Sequence, residues 1–79
     1  MSPEVDHIIA LIRETGGIAS VGPDDDFYEA GFSSINALNL LLELEAVYSI
    51  PIPDDRFVES RTPRSLTLML SELTQGVSP

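Results

Sequence analysis

The chain has no cysteine, no lysine and no tryptophan, and a single histidine, His7. Without cysteine there is no disulfide and no thiolate metal ligand, and zinc sites built from paired cysteines and histidines are excluded with Cys-His nucleophilic catalysis. His7 alone lacks companions to hold a metal and reads as a solvated surface residue. Length is also in short supply: 79 residues allow one core and exclude a two-domain enzyme. A chain this small often needs a disulfide, a metal or a partner to hold it, so here stability must come from a hydrocarbon core. Aromatic residues make up only 6% of the chain against 43% hydrophobic overall, so the core is mostly aliphatic, which favours packed helices.

Positive charge is scarce too. Four arginines face 13 acids for a formal net charge of −9, a balance that repels nucleic acid and anionic membranes and suits partners with basic faces. The acids Asp24, Asp25, Asp26 and Glu29 crowd one segment and are expected to repel one another there. The apolar content is too ordinary for a disordered acidic tail. The longest leucine-rich stretch, Ala37 to Leu44, is broken by Asn39 and Glu43 and falls far short of the roughly 20 apolar residues a membrane span needs. The opening residues MSPEVD are acidic, with no basic region ahead of an apolar stretch, so no secretory signal is expected and the cytoplasm is the expected compartment.

Helix punctuation runs through the rest. Ser2-Pro3-Glu4 reads as a helix start, Val5, Ile8, Ile9 and Ile12 recur at helical spacing, and Gly16-Gly17 stops them, which predicts a first helix over about 3–15. Residues 17–32 carry glycine, proline and acids without period, with Phe27, Tyr28 and Phe32 able to pin a crossing connection to the core. From Ser34 to Tyr48 the pattern is strongly helical. At about 100° per residue Ala37, Leu40, Leu41, Leu44, Val47 and Tyr48 share the core face, while Ile35, Leu38 and Leu42 form a second apolar stripe. A domain with few neighbours to offer leaves such a stripe for a partner. Ile50-Pro51-Ile52-Pro53 cannot continue a helix, Asp54-Asp55 allows a short turn through Val58, and Thr62-Pro63 starts a last amphipathic helix with Leu66, Met69, Leu70 and Leu73, ending before Gly76. The expectation is an all-α bundle of three longer helices and one short one, a single domain over 1–79 with its core at about 3–75 and a disordered tail at 76–79.

Two motifs fail on inspection. A calcium loop begun at Asp24 would put Tyr28 at a ligand position and Ile35 where the bidentate glutamate belongs, so the acids suit loose cation binding at most. Gly31-Phe32-Ser33-Ser34-Ile35 lacks the second glycine and the preceding strand of a nucleophile elbow, and no catalytic residue is assigned. Ser33-Ser34 ahead of an apolar helix is, on local grounds, a helix cap. A serine at a helix N-terminus is also a good place for a phosphodiester, because amides and dipole there favour negative charge.

The stretch Phe27-Tyr28-Glu29-Ala30-Gly31-Phe32-Ser33-Ser34-Ile35, followed by the leucine-rich helix and Glu45-Ala46-Val47-Tyr48-Ser49-Ile50-Pro51-Ile52-Pro53-Asp54-Asp55, resembles the acyl and peptidyl carrier protein family. The resemblance covers roughly residues 5–73. It implies a carrier that is not an enzyme, with Ser34 at the attachment position for 4′-phosphopantetheine delivered from coenzyme A by a phosphopantetheinyl transferase. It implies that Ile35, Leu38 and Leu42 meet partner enzymes, among them an acyl- or aminoacyl-loading ligase and downstream biosynthetic enzymes, with the carrier a monomer. Ser33 departs from the family's usual Asp or His, and Asn36 and Asn39 stand where fatty-acid carriers commonly have acids. These departures point to specialised metabolism rather than housekeeping fatty-acid synthesis. The alternative from another class is an unmodified helical interaction module, with Ser34 only a cap.

Overall fold

The computed structural model describes residues 3–76, which form four helices and no strand. Helix α1 spans Val5–Gly16, α2 Ser34–Tyr48, α3 Asp54–Glu59 and α4 Pro63–Gly76. The all-α architecture of three longer helices and one short one is as the sequence indicates.

Helix α1 begins later than its start signal suggests. Glu4 is the extended N-cap residue and makes no side-chain capping bond, Pro3 lies outside the helix, and Ser2 lies outside the described residues. The stop is as expected: Gly17 adopts the left-handed conformation at φ 65° and its N–H closes on the Arg13 carbonyl, which the Ile18 N–H also reaches at 3.2 Å. A residue with a Cβ pays a steric penalty in that conformation and glycine does not, which explains the position.

Helix α2 has the predicted bounds. Its opening is fixed by Ser33 and its end by Ser49, which turns left-handed at φ 54° before the Ile50-Pro51-Ile52-Pro53 segment. Helix α4 opens on reciprocal bonds between Thr62 and Ser65: the Ser65 N–H donates to Thr62 Oγ1 at 3.1 Å and the Thr62 N–H to Ser65 Oγ at 3.0 Å. Pro63 at the first helical position loses nothing by lacking an N–H. The helix takes in Gly76, the first of the four residues expected as a tail; residues 77–79 lie outside those described.

Helix α1 packs on α2 and α4, and α3 leans on α4. The core joins Ile8, Leu11 and Ile12 of α1, Leu40, Leu44 and Tyr48 of α2, Phe57 of α3 and Leu66, Met69 and Leu70 of α4. The connections contribute Val21, Phe27, Phe32, Ile50 and Ile52. Leu41, placed in the core by its helical angle, is only half-buried, and Ala37 and Val47 pack beside it at the core's margin. His7 is exposed, yet its Nδ1 lies 3.2 Å from the Tyr48 hydroxyl, so it ties α1 to the end of α2. No helix among the described residues is long and apolar enough to cross a membrane, and those residues hold no metal-binding group of three or more His, Asp or Glu.

Candidate functional site

The segment that delivers Ser33 and Ser34 to the start of α2 is built on aromatic rings. Phe27 is wholly buried and Phe32 nearly so, with ring centroids 5.1 Å apart in an edge-on arrangement, and Tyr28 stacks 4.8 Å from Phe27. The Phe32 N–H donates to the Phe27 carbonyl and the Gly31 N–H to that of Tyr28, closing the turn. Gly31 holds φ 113°, where side-chain-bearing residues are strained, although the space around it is open.

Two arginines clasp this loop to the α3–α4 corner. Arg61 Nε donates to Asp26 Oδ2 at 2.7 Å and its guanidinium lies 4.6 Å over the Tyr28 ring, while Arg64 Nε donates to Asp24 Oδ1 at 2.8 Å. Backbone bonds follow the same seam, from the Phe27 N–H to the Arg61 carbonyl and from the Arg64 N–H to that of Pro23. Asp26 also accepts the Tyr28 N–H at 2.9 Å, and Asp25 accepts the Gly22 N–H at 2.8 Å. The expected repulsion within the acidic run is therefore offset in part: each of its three aspartates accepts a hydrogen bond, and two are paired with arginines from 35 and 40 residues away, while Asp25 and Glu29 form no ion pair among the described residues. The Arg61 bond, then the backbone amides, hold the Asp26 carboxyl below its ordinary value, and the Arg64 bond does the same for Asp24. Both guanidinium groups are raised in turn. Burial pushes the Tyr28 phenol up, opposed by Arg61.

The serine pair divides into two roles. Ser33 is the N-cap: its backbone is extended and its Oγ accepts the Asn36 N–H at 3.2 Å, while its carbonyl accepts the Ala37 N–H at 2.9 Å. Ser34 is the first helical residue, is exposed, and its hydroxyl makes no hydrogen bond among the described residues. Helix geometry leaves the Ser34 and Ile35 amides without intrahelical acceptors, at the positive end of the helix dipole. An esterified phosphate on Ser34 would meet free amides and no carboxylate on the first turn, which carries no acid.

Beside Ser34 a cleft of ≈ 500 Å³ opens between α2 and α3, with Ala37, Leu38 and Leu41 on one wall, Phe57 and Val58 on the other, and Tyr28, Asp54 and Arg61 at its rim. The stripe residues Ile35, Leu38 and Leu42 are 74%, 58% and 56% exposed. The free hydroxyl, the amides and a mostly apolar cleft next to them fit a long arm joined through a phosphodiester. Sequence periodicity did not find Val58 or Arg61, because α3 is too short to show a face and the cleft joins elements distant in the chain. The one available signal was Val58 itself, an apolar residue a turn after Asp54 on a helix with few places to hide it.

The family model described as phosphopantetheine attachment site matches residues 6–70. The oxytetracycline acyl carrier protein, solved in solution, superposes with a TM-score of 0.81 at 26% identity, covering 100% of this chain and 90% of that one. BlmI, a type-II acyl carrier protein from Streptomyces verticillus involved in bleomycin biosynthesis, superposes at 0.74 with 27% identity, covering 94% and 86%. A protein of Salinispora arenicola (strain CNS-205), CymA, named as a probable non-canonical nonribosomal peptide synthetase, is 25% identical over 71 residues, 90% of this chain. The chain spans 1% of that relative's length.

Proposed function

The chain belongs to the phosphopantetheine attachment site family, a carrier rather than a catalyst, and from that membership we propose that it is a carrier with 4′-phosphopantetheine joined to Ser34. The observation that carries the residue choice is the division of the serine pair: Ser33 Oγ is occupied in capping α2, whereas the Ser34 hydroxyl is exposed and unbonded among the described residues. When bound, the arm supplies a thiol that holds an acyl or aminoacyl group as a thioester. The protein's own part is to present that hydroxyl to a transferase, to neutralise the phosphate with the α2 amides, and to dock each enzyme in turn. Tethering then replaces free diffusion of cargo with a high effective concentration at the docked enzyme.

Ile35, Leu38 and Leu42 are the proposed docking residues, and their exposure supports this reading. The proposed partners are a phosphopantetheinyl transferase, an acyl- or aminoacyl-loading ligase and downstream biosynthetic enzymes. Specialised metabolism is favoured over fatty-acid synthesis on two grounds. One solved neighbour is named for oxytetracycline and the other is involved in bleomycin biosynthesis, and α2 has no acid before Glu43. The near-complete coverage of both solved carriers supports one carrier unit, proposed as a monomer acting in the cytoplasm.

Incubation with a broad-specificity transferase and coenzyme A, followed by intact-mass measurement and peptide mapping, tests the assignment. The arm should map to Ser34, Ser34→Ala should abolish the mass gain and Ser33→Ala should keep it. The reverse pattern would move the site to Ser33, and no mass gain in the parent would leave only a helical interaction module.

A further inference from the structure

The four arginines of the chain are engaged in different ways. Arg56 is bonded through Nη2 to Glu72, and Arg64 holds Asp24 with both Nε and Nη2. Arg13 lies at the end of α1 beside Gly17 and Ile18, away from the cleft that opens at Ser34. Arg61 borders that cleft together with Ser34, and only its Nε is bonded, to Asp26 Oδ2 at 2.7 Å. Its terminal nitrogens make no hydrogen bond among the described residues, and its side chain is 51% exposed.

The guanidinium is nonetheless held in place. The Phe27 N–H donates to the Arg61 carbonyl and fixes the backbone, and Asp26, which grips Nε, is itself held by the Tyr28 N–H at 2.9 Å. The guanidinium carbon lies 4.6 Å over the Tyr28 ring. A free arginine side chain loses rotamer freedom when it closes on an anion, whereas one already clasped at Nε and stacked on a ring has given up most of it. The edge formed by the terminal nitrogens suits a phosphate group, which accepts parallel N–H bonds from a planar guanidinium.

We propose that Arg61 is a positioning residue for the arm: its terminal nitrogens hold the phosphodiester joined to Ser34 and so start the arm along the cleft instead of into open solvent. The inference rests on the carrier reading above and deepens it by one residue. The Ser34 and Ile35 amides offer the phosphate only the partial charge of a helix end, and Arg61 adds a full one. The surroundings call for it. Asp54 borders the same cleft without an ion pair among the described residues, and the chain carries a net charge of −9, so a further anion meets repulsion unless a cation stands beside it. Because Asp26 takes only Nε, the clasp between the loop and the α3–α4 corner is kept when the phosphate is held.

The test is a double cycle between the side chain and the arm. Melting temperatures are measured for the apo and holo forms of the parent, Arg61→Gln and Asp26→Asn, with loading by a broad-specificity transferase and coenzyme A carried to completion by intact mass. Both substitutions break the clasp and should lower the apo melting temperature. Only one removes the guanidinium. The holo-minus-apo shift should fall by ~1–8 °C in Arg61→Gln relative to the parent, the span one exposed charged pair gives in a domain of this size, whereas Asp26→Asn should retain the parent's shift. The phosphorus NMR resonance of the phosphodiester should move in Arg61→Gln and move less in Asp26→Asn. Arg61→Lys keeps the charge but lacks the planar fork; it should show part of that movement, and it carries the test if Arg61→Gln does not fold, an unmoved resonance there overturning the inference. Shifts and resonance equal in the parent and Arg61→Gln overturn it too, as does an equal loss in Asp26→Asn, which would assign the effect to the clasp; in each case the carrier reading stands. A parent that takes up no arm at saturating transferase overturns the carrier reading, and the inference falls with it.

Discussion

Four leucines on one helix provide an internal control for the separation of core from docking surface. Leu40 and Leu44 are 0% exposed, whereas Leu38 and Leu42 are 58% and 56% exposed. Each Leu→Ala change removes the same atoms from the same α-helix, so the small propensity gain of alanine, a few tenths of a kcal/mol, is common to all four. For Leu40 and Leu44 the loss combines the transfer of a buried side chain with the cavity left behind, together about 2–5 kcal/mol. For Leu38 and Leu42 less than half of the transfer value of about 1.5–3 kcal/mol is at stake, and no enclosed void forms, so about 1 kcal/mol or less is lost.

A 79-residue domain carries roughly 4–12 kcal/mol of stability in all, so the two classes are well separated on that scale. At about 4–8 °C per kcal/mol, Leu40→Ala and Leu44→Ala should lower the melting temperature by at least ~8 °C, or leave no folded baseline. The exposed pair should shift it by ~8 °C at most and lie nearer to zero. Melts followed by helical circular dichroism measure this, and arm-transfer rates on the same samples should show the opposite order for the variants that remain folded. If Leu38→Ala or Leu42→Ala were as destabilising as Leu44→Ala, the stripe would be core and its reading as a docking surface would fail.

Because Ser33 Oγ accepts the Asn36 N–H and Ser34 Oγ accepts none, Ser33→Ala should cost about 1 kcal/mol by denaturant titration and Ser34→Ala close to nothing. A larger loss at Ser34 would contradict the assigned cap. Gly16→Ala should destabilise by about 1–3 kcal/mol, because a Cβ there meets the buried Phe32 ring, with Cε1 only 2.8 Å away. An unchanged melting temperature would show the ring free to withdraw. The Asp26 carboxyl lies below its ordinary value near 3.8 in the folded state, so its ion pair stabilises above that value and the benefit is lost as pH falls through the depressed one. Asp26→Asn should therefore melt below the parent at neutral pH, with the gap closing in acid below about pH 3.8. A gap constant across that window would assign the loss to something other than charge.

Helix α2 was legible to the residue because its limits are local: a serine that caps, a serine that turns left-handed, and a proline soon after. The start of α1 was not. Proline's fixed φ suits both the first helical position and a residue ahead of the helix, and here Pro3 lies ahead of an extended Glu4, with the first closing bond running from the Ile8 N–H to the Glu4 carbonyl. The pairing within the acidic run is not legible for a different reason. Its electrostatics are decided by Arg61 and Arg64, which arrive from the other side of the fold, and no local reading of Asp24 to Asp26 contains them. Leu41 failed by angle: it points nearest the seam between α2 and α3, where the neighbouring helix is only six residues long and leaves a cleft in place of a packed wall.

The same limit explains why the serine pair could be read two ways, as a helix cap and as the attachment point proposed above. A helix start needs an acceptor for its orphan amides, and an attachment serine needs a hydroxyl committed to nothing. One residue cannot serve both demands well, since a capping oxygen is held against the helix amide it satisfies. In this chain the demands fall on neighbours: Ser33 takes the Asn36 N–H, and the exposed Ser34 side chain stays free. A serine in place of a carboxylate at position 33 still accepts the capping bond but brings no negative charge to the first turn of α2. The first turn is then neutral and the helix dipole there is uncompensated, which suits the phosphodiester proposed for Ser34. Capping by Ser33 and the uncommitted hydroxyl of Ser34 are in this way parts of one arrangement at the start of α2.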